Sequence, residues 1–352
     1  MRQRAESPPI RATSLWLLPG STFSLCMGRR RSNLIGAMEN FSKLQVLPVS
    51  FLLLLGCAGS EGWNTRKCLS DPSCPFPIVS AHRGLCGDEP ENTLAAYRQC
   101  ENMGVPMVEL DPRQTADGHW VIMHDSDVTR TTNGEQLYGT RVGVDELTIE
   151  EFEALVIDDQ RCSDDPDSNP ARCHPPTFEQ VIEGTGPGLL IDADFKSGDA
   201  AAFGDLVRSL GATDRVLFFD NDADSLRAYM EHAGGGIVMH RAHDAQEVGQ
   251  IMSALGEELE LKWIHIDPAY LADALAKVAD TGVRLYLNTW DYNVDTWLYA
   301  AEAIDDPEQK AEFERKAFEL LDELVRDGAM GLGTDRARQI SSYLYPNGLG
   351  NQ

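Results

Sequence analysis

Between Ala81 and Asp125 the chain carries His82-Arg83-Gly84, Pro90-Glu91-Asn92-Thr93, Glu109-Leu110-Asp111 and His124-Asp125. Carboxylates are hard oxygen donors suited to Mg²⁺ or Ca²⁺. Histidine is the side chain whose charge changes near neutral pH. Arginine presents a fixed fork of donors that fits phosphate. A cation site, a proton-transfer pair and an arginine in one segment predict phosphoester cleavage.

Such groups must be held by short apolar elements. His82 follows Pro77–Ala81 (PIVSA), and Val105–Leu110 (VPMVEL) carries Glu109 with Asp111 just beyond it. Residues two apart on a strand share a face, so Glu109 and Asp111 can share one cation. Asp117-Gly118 is a strong two-residue hairpin signal. With that pair as the turn, residue 116 pairs with 119, Asp111 faces His124 and Glu109 faces Ser126. Directly opposed residues lie about 4.5–5.5 Å apart at Cβ, so the hairpin returns a histidine to the two acids.

The ordered set HRG, PENT, E-x-D, T-x-D-G and HD, followed by TRTTNG, resembles the glycerophosphodiester phosphodiesterase family. The match is dense from Ile78 to Gly134 and traceable to about Tyr345. The resemblance implies that His82 and His124 are acid and base, with attack by a substrate glycerol hydroxyl through a cyclic phosphate. It also implies a third cation ligand in an E-x-K motif. This chain offers Asp194-Phe195-Lys196, with Asp one methylene shorter than Glu and Asp192 in phase with it. Asp194 is preferred because it keeps the spacing to Lys196. Arg83 and Lys196 are the expected phosphate-binding residues. Glu91 is expected near the cation or Arg83, and Asn92-Thr93 as a helix cap. Trp290 and Tyr292 form either an apolar wall for the alcohol or ordinary packing. His240, His243 and His265 have no motif support and read as surface or packing residues. At the last strand, Thr334-Asp335 matches the family, while Arg336-Ala337 replaces the usual later proline.

Beyond the hairpin, apolar runs alternate with helical periods. The runs are Leu189–Phe195, Val216–Phe219, Ile237–Met239, Trp263–Ile266, Val283–Leu287 and Ala329–Gly333. The helical periods are Thr148–Val156, Ala200–Leu210, Asp224–His232, Ala245–Leu255, Ala269–Thr281 and Pro307–Asp327, with another starting at Thr177. With the runs at Ile78 and Val105, this makes eight β–α units and a TIM (β/α)8 barrel with a β-hairpin after strand two. A doubly wound sheet would want a Gly-rich phosphate loop after strand one, which Arg83-Gly84-Leu85-Cys86-Gly87 does not supply. The site is expected at the C-terminal strand ends, where His82, Glu109, Asp111, Asp194, Lys196, Asp220, His240, Asp267, Asn288 and Asp335 fall.

The net charge is −26 over 352 residues. Seven Lys/Arg and two Asp/Glu in residues 1–56 give +5, leaving −31 for the remainder. That field repels nucleic acid and anionic lipid surfaces. Arg29-Arg30-Arg31 and Lys43 precede an apolar run, Leu44–Leu55, that suits a signal-peptide core and is too short for a bilayer span. It ends in Leu54-Leu55-Gly56-Cys57-Ala58, which resembles a bacterial lipoprotein processing site, so Cys57 is a candidate for lipidation. Residues 1–57 are thus read as a leader, with 1–37 before Met38 as an over-called start, 58–75 as a linker and 76–346 as the barrel domain. The protein is expected to be exported to the cell envelope or periplasm, touching membrane only through Cys57.

Setting aside Cys26 and Cys57 leaves six cysteines, an even count that suggests disulfides in an exported protein. Sequence-local pairing gives Cys68–Cys74, Cys86–Cys100 and Cys162–Cys173. The last brackets the polar, Pro-rich loop 158–176, expected to wall the substrate entrance. The resulting expectation is a phosphodiesterase using Ca²⁺ or Mg²⁺ to release sn-glycerol 3-phosphate and an alcohol. A lysophospholipase D-like activity, another phosphodiesterase on the same barrel, and an inactive envelope binding module are alternatives. An amidohydrolase-type barrel would want His-x-His after strand one, where Ala81-His82-Arg83 has one histidine.

Overall fold

The computed structural model describes residues 64–346 apart from residue 163. The leader, Cys57 and the first part of the expected linker therefore lie outside the described residues.

Eight parallel strands close into a barrel. They are β1 (Ile78–Ala81), β2 (Met107–Leu110), β5 (Leu190–Asp194), β6 (Val216–Asp220), β7 (Ile237–Arg241), β8 (Trp263–His265), β9 (Arg284–Asn288) and β10 (Ala329–Thr334). The order round the ring is β1, β10, β9, β8, β7, β6, β5, β2. β3 (Pro112–Gln114) and β4 (Trp120–Ile122) form the hairpin outside the barrel.

Alternation along each strand divides the side chains. Val79, Val108, Ile191, Phe218, Val238, Ile264, Leu285 and Leu332 belong to the large core between barrel and helices. Ile78, Met107, Leu190, Leu217, Met239 and Trp263 belong to a separate core inside the barrel. Stepping two residues from this inner core toward the C-terminal ends reaches Ser80, Glu109, Asp192, Phe219, Arg241 and His265. The sequence thus buries apolar layers below and, apart from Phe219, presents polar groups above.

The hairpin corrects the expected register. Pro112 pairs with Ile122, Arg113 with Val121 and Gln114 with Trp120. The loop is one residue longer than a two-residue turn, with Gly118 at φ +91° and its N–H bonded to the Thr115 carbonyl at 3.0 Å. Asp111 therefore faces Met123, whose N–H reaches the Asp111 carbonyl at 2.9 Å, and not His124. Glu109 belongs to barrel strand β2 and has no hairpin partner in Ser126.

The linker expectation over 58–75 also needs correction. Thr65–Ser70 is a helix capped by Asn64, with Cys68 and Leu69 fully buried in the inner core. Trp263 Nε1 donates to the Leu69 carbonyl at 2.9 Å, and Arg284 donates to the carbonyls of Cys68 and Leu69. This helix closes the N-terminal end of the barrel. Its polar composition hid two buried positions. All three expected disulfides are present.

The predicted helices are present with modest shifts, and Thr148 and Thr177 each head a capping box. Besides Thr65–Ser70, the α-helices Gly134–Tyr138, Pro170–Cys173 (within the loop expected over 158–176), Val294–Glu302 and Ala337–Leu344 have no counterpart among the helical periods of the sequence.

Candidate active site

A cavity of about 240 Å³ opens at the C-terminal strand ends, lined by His82, Glu109, His124, Asp192, Asp194, Lys196, Phe219, Arg241, His265, Tyr286, Asn288, Trp290 and Gly333. It gathers both expected histidines and two of the three expected cation ligands. Asp111 lies fully buried beneath them.

His82 leaves β1 in a tight turn in which Arg83 adopts φ +50°. Left-handed backbone at a non-glycine residue is strained and needs compensation. Here the Arg83 N–H donates to Glu109 Oε2 at 2.7 Å. Gly84 is required, since φ is +75° and a Cβ would come within 2.8 Å of the Tyr97 ring. His82 Nδ1–H donates to Asp335 Oδ1 at 2.6 Å, and its ring packs 4.8 Å from Trp290. Asp335 is held by its own N–H, which donates to Asp295 Oδ2 at 2.8 Å. Of the two aromatics weighed, Trp290 lines the cavity and Tyr292 packs against the outer core.

His124 is fixed from two sides. Its Nδ1–H donates to Asp125 Oδ1 at 2.7 Å, and Arg113 Nη2 donates to its carbonyl at 2.6 Å. A carboxylate on Nδ1 leaves Nε2 as the ring nitrogen free for the cavity, for both histidines.

Register explains the acid cluster. Glu109 stands beside Asp192 on paired strands β2 and β5, and a second acid follows each two residues on, Asp194 at the end of β5 and Asp111 just beyond β2. Oxygens of Glu109, Asp111 and Asp194 all lie within 4.8 Å of one another. Lys196 Nζ sits 2.5 Å from Asp194 Oδ2 and 3.1 Å from Asp111 Oδ1. Asn92 Nδ2 donates to Asp111 Oδ2 at 2.6 Å and is itself held by the Tyr97 hydroxyl at 2.8 Å. Asn92 thus belongs to the site and not to the helix cap, which Thr93 alone provides.

Burial, then repulsion from Asp111 and Asp194, pushes the Glu109 carboxyl well above the usual carboxylate range. Burial also opposes charge on Asp111, but Lys196, the Asn92 hydrogen bond and His124 outweigh it and hold that carboxyl below its ordinary value. Burial opposes charge on Lys196 too, and Asp194, Asp111 and Glu109 reverse the effect and raise it. Three close carboxylates, two of them buried, are a hard donor set that fits a divalent cation. Asp111 Oδ1, buried without a hydrogen bond of normal geometry, adds to that fit.

Asp192, in phase with the preferred Asp194, lines the cavity with it. Burial and the neighbouring Asp194 push Asp192 up to about 7. Glu91 pairs with Arg83 Nη1 at 3.1 Å and Arg130 Nη2 at 2.6 Å, and it does not join the acid cluster.

Other expectations divide. Asn288 lines the cavity. Asp220 turns back onto the N–H groups of Asn221 and Asp222, and Asp267 caps a turn at Ala269. His240 bonds the Arg241 carbonyl, and His243 pairs with Glu247 at the surface. His265 corrects its expected packing role: it is buried but lines the cavity. Among the described residues, loop 158–176 contributes none to the cavity lining. It binds instead to the turn after β1, through Arg161 with Asp88 and Arg172 with Glu89. Arg130 and Arg241 were also missed; TRTTNG marked the first, and the end of an apolar run the second.

The model of the glycerophosphoryl diester phosphodiesterase family matches residues 82–302. Over 78 residues the chain is 44% identical to the glycerophosphodiester phosphodiesterase of Caldanaerobacter subterraneus subsp. tengcongensis, covering 22% of this chain and 30% of that protein. Over 91 residues it is 57% identical to glycerophosphodiester phosphodiesterase 1 of Rattus norvegicus, covering 25% and 27%. The matched segments span less than a third of these curated relatives. A solved phosphodiesterase from Oleispira antarctica, in complex with the product sn-glycerol-3-phosphate, aligns with a TM-score of 0.54 at 20% identity, covering 76% of this chain and 96% of that one. At that identity the likeness is one of fold.

Proposed function

The chain belongs to the glycerophosphoryl diester phosphodiesterase family, and from that premise we propose that it hydrolyses glycerophosphodiesters to sn-glycerol 3-phosphate and an alcohol. The observation that carries this reading is the pair of cavity-lining histidines, each anchored through Nδ1 by an aspartate. A binding module has no need of two oriented proton-transfer groups.

Glu109, Asp111 and Asp194 would hold the cation, Ca²⁺ or Mg²⁺, which when bound neutralises and polarises the phosphodiester. One histidine removes the proton from the attacking glycerol hydroxyl. The other protonates the departing alcohol oxygen as its P–O bond breaks. In the second half the roles reverse, and water opens the cyclic phosphate. Asp335 and Asp125 keep the rings oriented and stabilise each imidazolium. Lys196 reaches the cavity from the acid cluster, while Arg83 shapes the site through its N–H on Glu109 and its Glu91 pair. Trp290 holds the His82 ring.

The test is turnover of glycerophosphocholine, glycerophosphoethanolamine and glycerophosphoglycerol, followed by phosphorus NMR with cation and with chelator. Cation-dependent appearance of glycerol 3-phosphate is expected. Failure to release it from every diester would overturn the reading. We also propose export, a setting in which three disulfides persist.

A further inference from the structure

We propose that Arg241 selects the alcohol half of the substrate, favouring diesters whose alcohol bears its own phosphate or carboxylate. This rests on the phosphodiesterase reading above.

Arg241 ends β7 and faces inward in phase with Met239, so its side chain lines the cavity. Among the described residues it has no ion pair within 4.0 Å and no side-chain hydrogen bond; its close contact is the Phe219 ring, 5.2 Å below the guanidinium. Asp291 senses its charge without pairing to it. The two cations expected to bind phosphate differ in this respect. Lys196 is held by Asp194 and Asp111, and Arg83 by Glu91. A half-buried guanidinium loses hydration that an anion must replace, and in a chain this acidic an intramolecular partner would be easy to supply. The open donors of Arg241 therefore point to an anion from outside the chain.

Topology says which part of the substrate that anion belongs to. In the closed ring, β7 lies four strands from β1 in either direction. Arg241 thus stands across the mouth from His82. The acid cluster lies on β2 and β5, and His124 on the return of the hairpin that follows β2. The scissile phosphorus must contact that side, where both histidines and the cation site are. A group extending from it across the mouth meets Arg241 over the face of Phe219, with His265 and Asn288 beside it. His265 cannot share the anion as a cation, because burial and then Arg241 itself press it toward its neutral form.

The test uses a matched pair of substrates with the cation-loaded protein: glycerophosphoglycerol, and the same diester with a phosphate on its far glycerol. Wild type should prefer the phosphorylated diester in kcat/KM by about tenfold to a hundredfold, the scale of charge-assisted hydrogen bonds. Arg241→Gln should bring the ratio toward one, and Arg241→Lys should retain part of it. Thermal unfolding of both variants checks that each is folded, and the lysine variant keeps the charge if glutamine does not fold. An equal loss on both diesters would put Arg241 on the scissile phosphate and overturn the proposal. So would a wild type without preference, or a preference that survives Arg241→Gln. If wild type hydrolyses neither diester, the phosphodiesterase reading falls and this inference falls with it.

Discussion

Arg130 grips Asp125 at two points, Nε to Oδ2 at 2.5 Å and Nη2 to Oδ1 at 3.3 Å. Asp125 in turn accepts the His124 Nδ1–H, and Arg130 also binds Glu91, which binds Arg83. A continuous chain of charges thus joins the two sequence motifs that carry the histidines. The Arg130 hydrogen bond, with help from His124, lowers the Asp125 carboxyl to about 2. Arg130→Gln should therefore cut kcat by about 10- to 100-fold, as loss of an orienting partner does, with a smaller change in KM. With its cation gone, Asp125 should titrate closer to the ordinary carboxylate range, moving the acid limb of the pH–rate profile upward. Arg130→Lys should restore part of the rate. A pH profile identical to wild type in Arg130→Gln would show that Arg130 is merely structural.

His82→Ala and His124→Ala should each lower kcat by about 10²–10⁴-fold without loss of fold. Asp335→Asn should lower it less, since it changes the tautomer support and not the reacting ring. Steady-state kinetics with circular dichroism checks both. Near-native turnover in either alanine variant, with the cation bound, would remove that histidine from catalysis.

The barrel and most of the site were legible because strands end where apolar runs end. Alternation then carries Glu109, Asp194 and Asn288 inward. What was not legible depended on single-residue geometry. One extra residue in the turn at Asp117-Gly118 shifted the hairpin register, yet Arg113 still delivers the His124 backbone to the cavity mouth. The closing helix Thr65–Ser70 was hidden because only two of its residues are buried. His265 and Arg241 carry no motif, and their roles follow from facing inward on β8 and β7. Asn92 looked like a cap because capping and carboxylate binding use the same side-chain chemistry.

Chelation should abolish activity. Glu109→Gln and Asp111→Asn should weaken cation affinity, since each keeps size and removes a charge that hard cations need. Calorimetric titration with Ca²⁺ and with Mg²⁺ reads this directly, apart from turnover. Unchanged affinity in both variants would move the cation elsewhere.

The Cys162–Cys173 bond closes a short loop, with a sequence separation of 11. Chain-entropy reasoning gives it somewhat under about 3 kcal/mol. Its loop binds the turn after β1 and lies off the cavity. Cys162→Ser with Cys173→Ser should thus lower Tm by several degrees while leaving KM for small and bulky diesters nearly equal in proportion. A KM rise confined to bulky diesters at unchanged Tm would instead make this loop part of the entrance.

His265 gives a pH signature of stability. Burial, then the charge of Arg241, lowers its folded value to about 3, against an ordinary 6.5. Above pH 6.5 both folded and unfolded forms carry a neutral ring, so the group contributes no pH dependence. Below 6.5 the unfolded chain takes up a proton that the folded chain refuses, and stability falls as pH falls until about pH 3. At pH 5 the loss should be about 2 kcal/mol, from about 1.4 kcal/mol per pH unit. Denaturant unfolding between pH 7 and 4 should show this slope, and His265→Gln should flatten it by roughly one proton. Carbon and nitrogen shifts of the His265 ring should report a neutral imidazole at pH 5. A ring that titrates near 6.5, or an unchanged slope in the variant, would mean that water and counter-ions reach His265 and that the far wall of the cavity is wetter than its packing against Phe219 and Tyr286 implies.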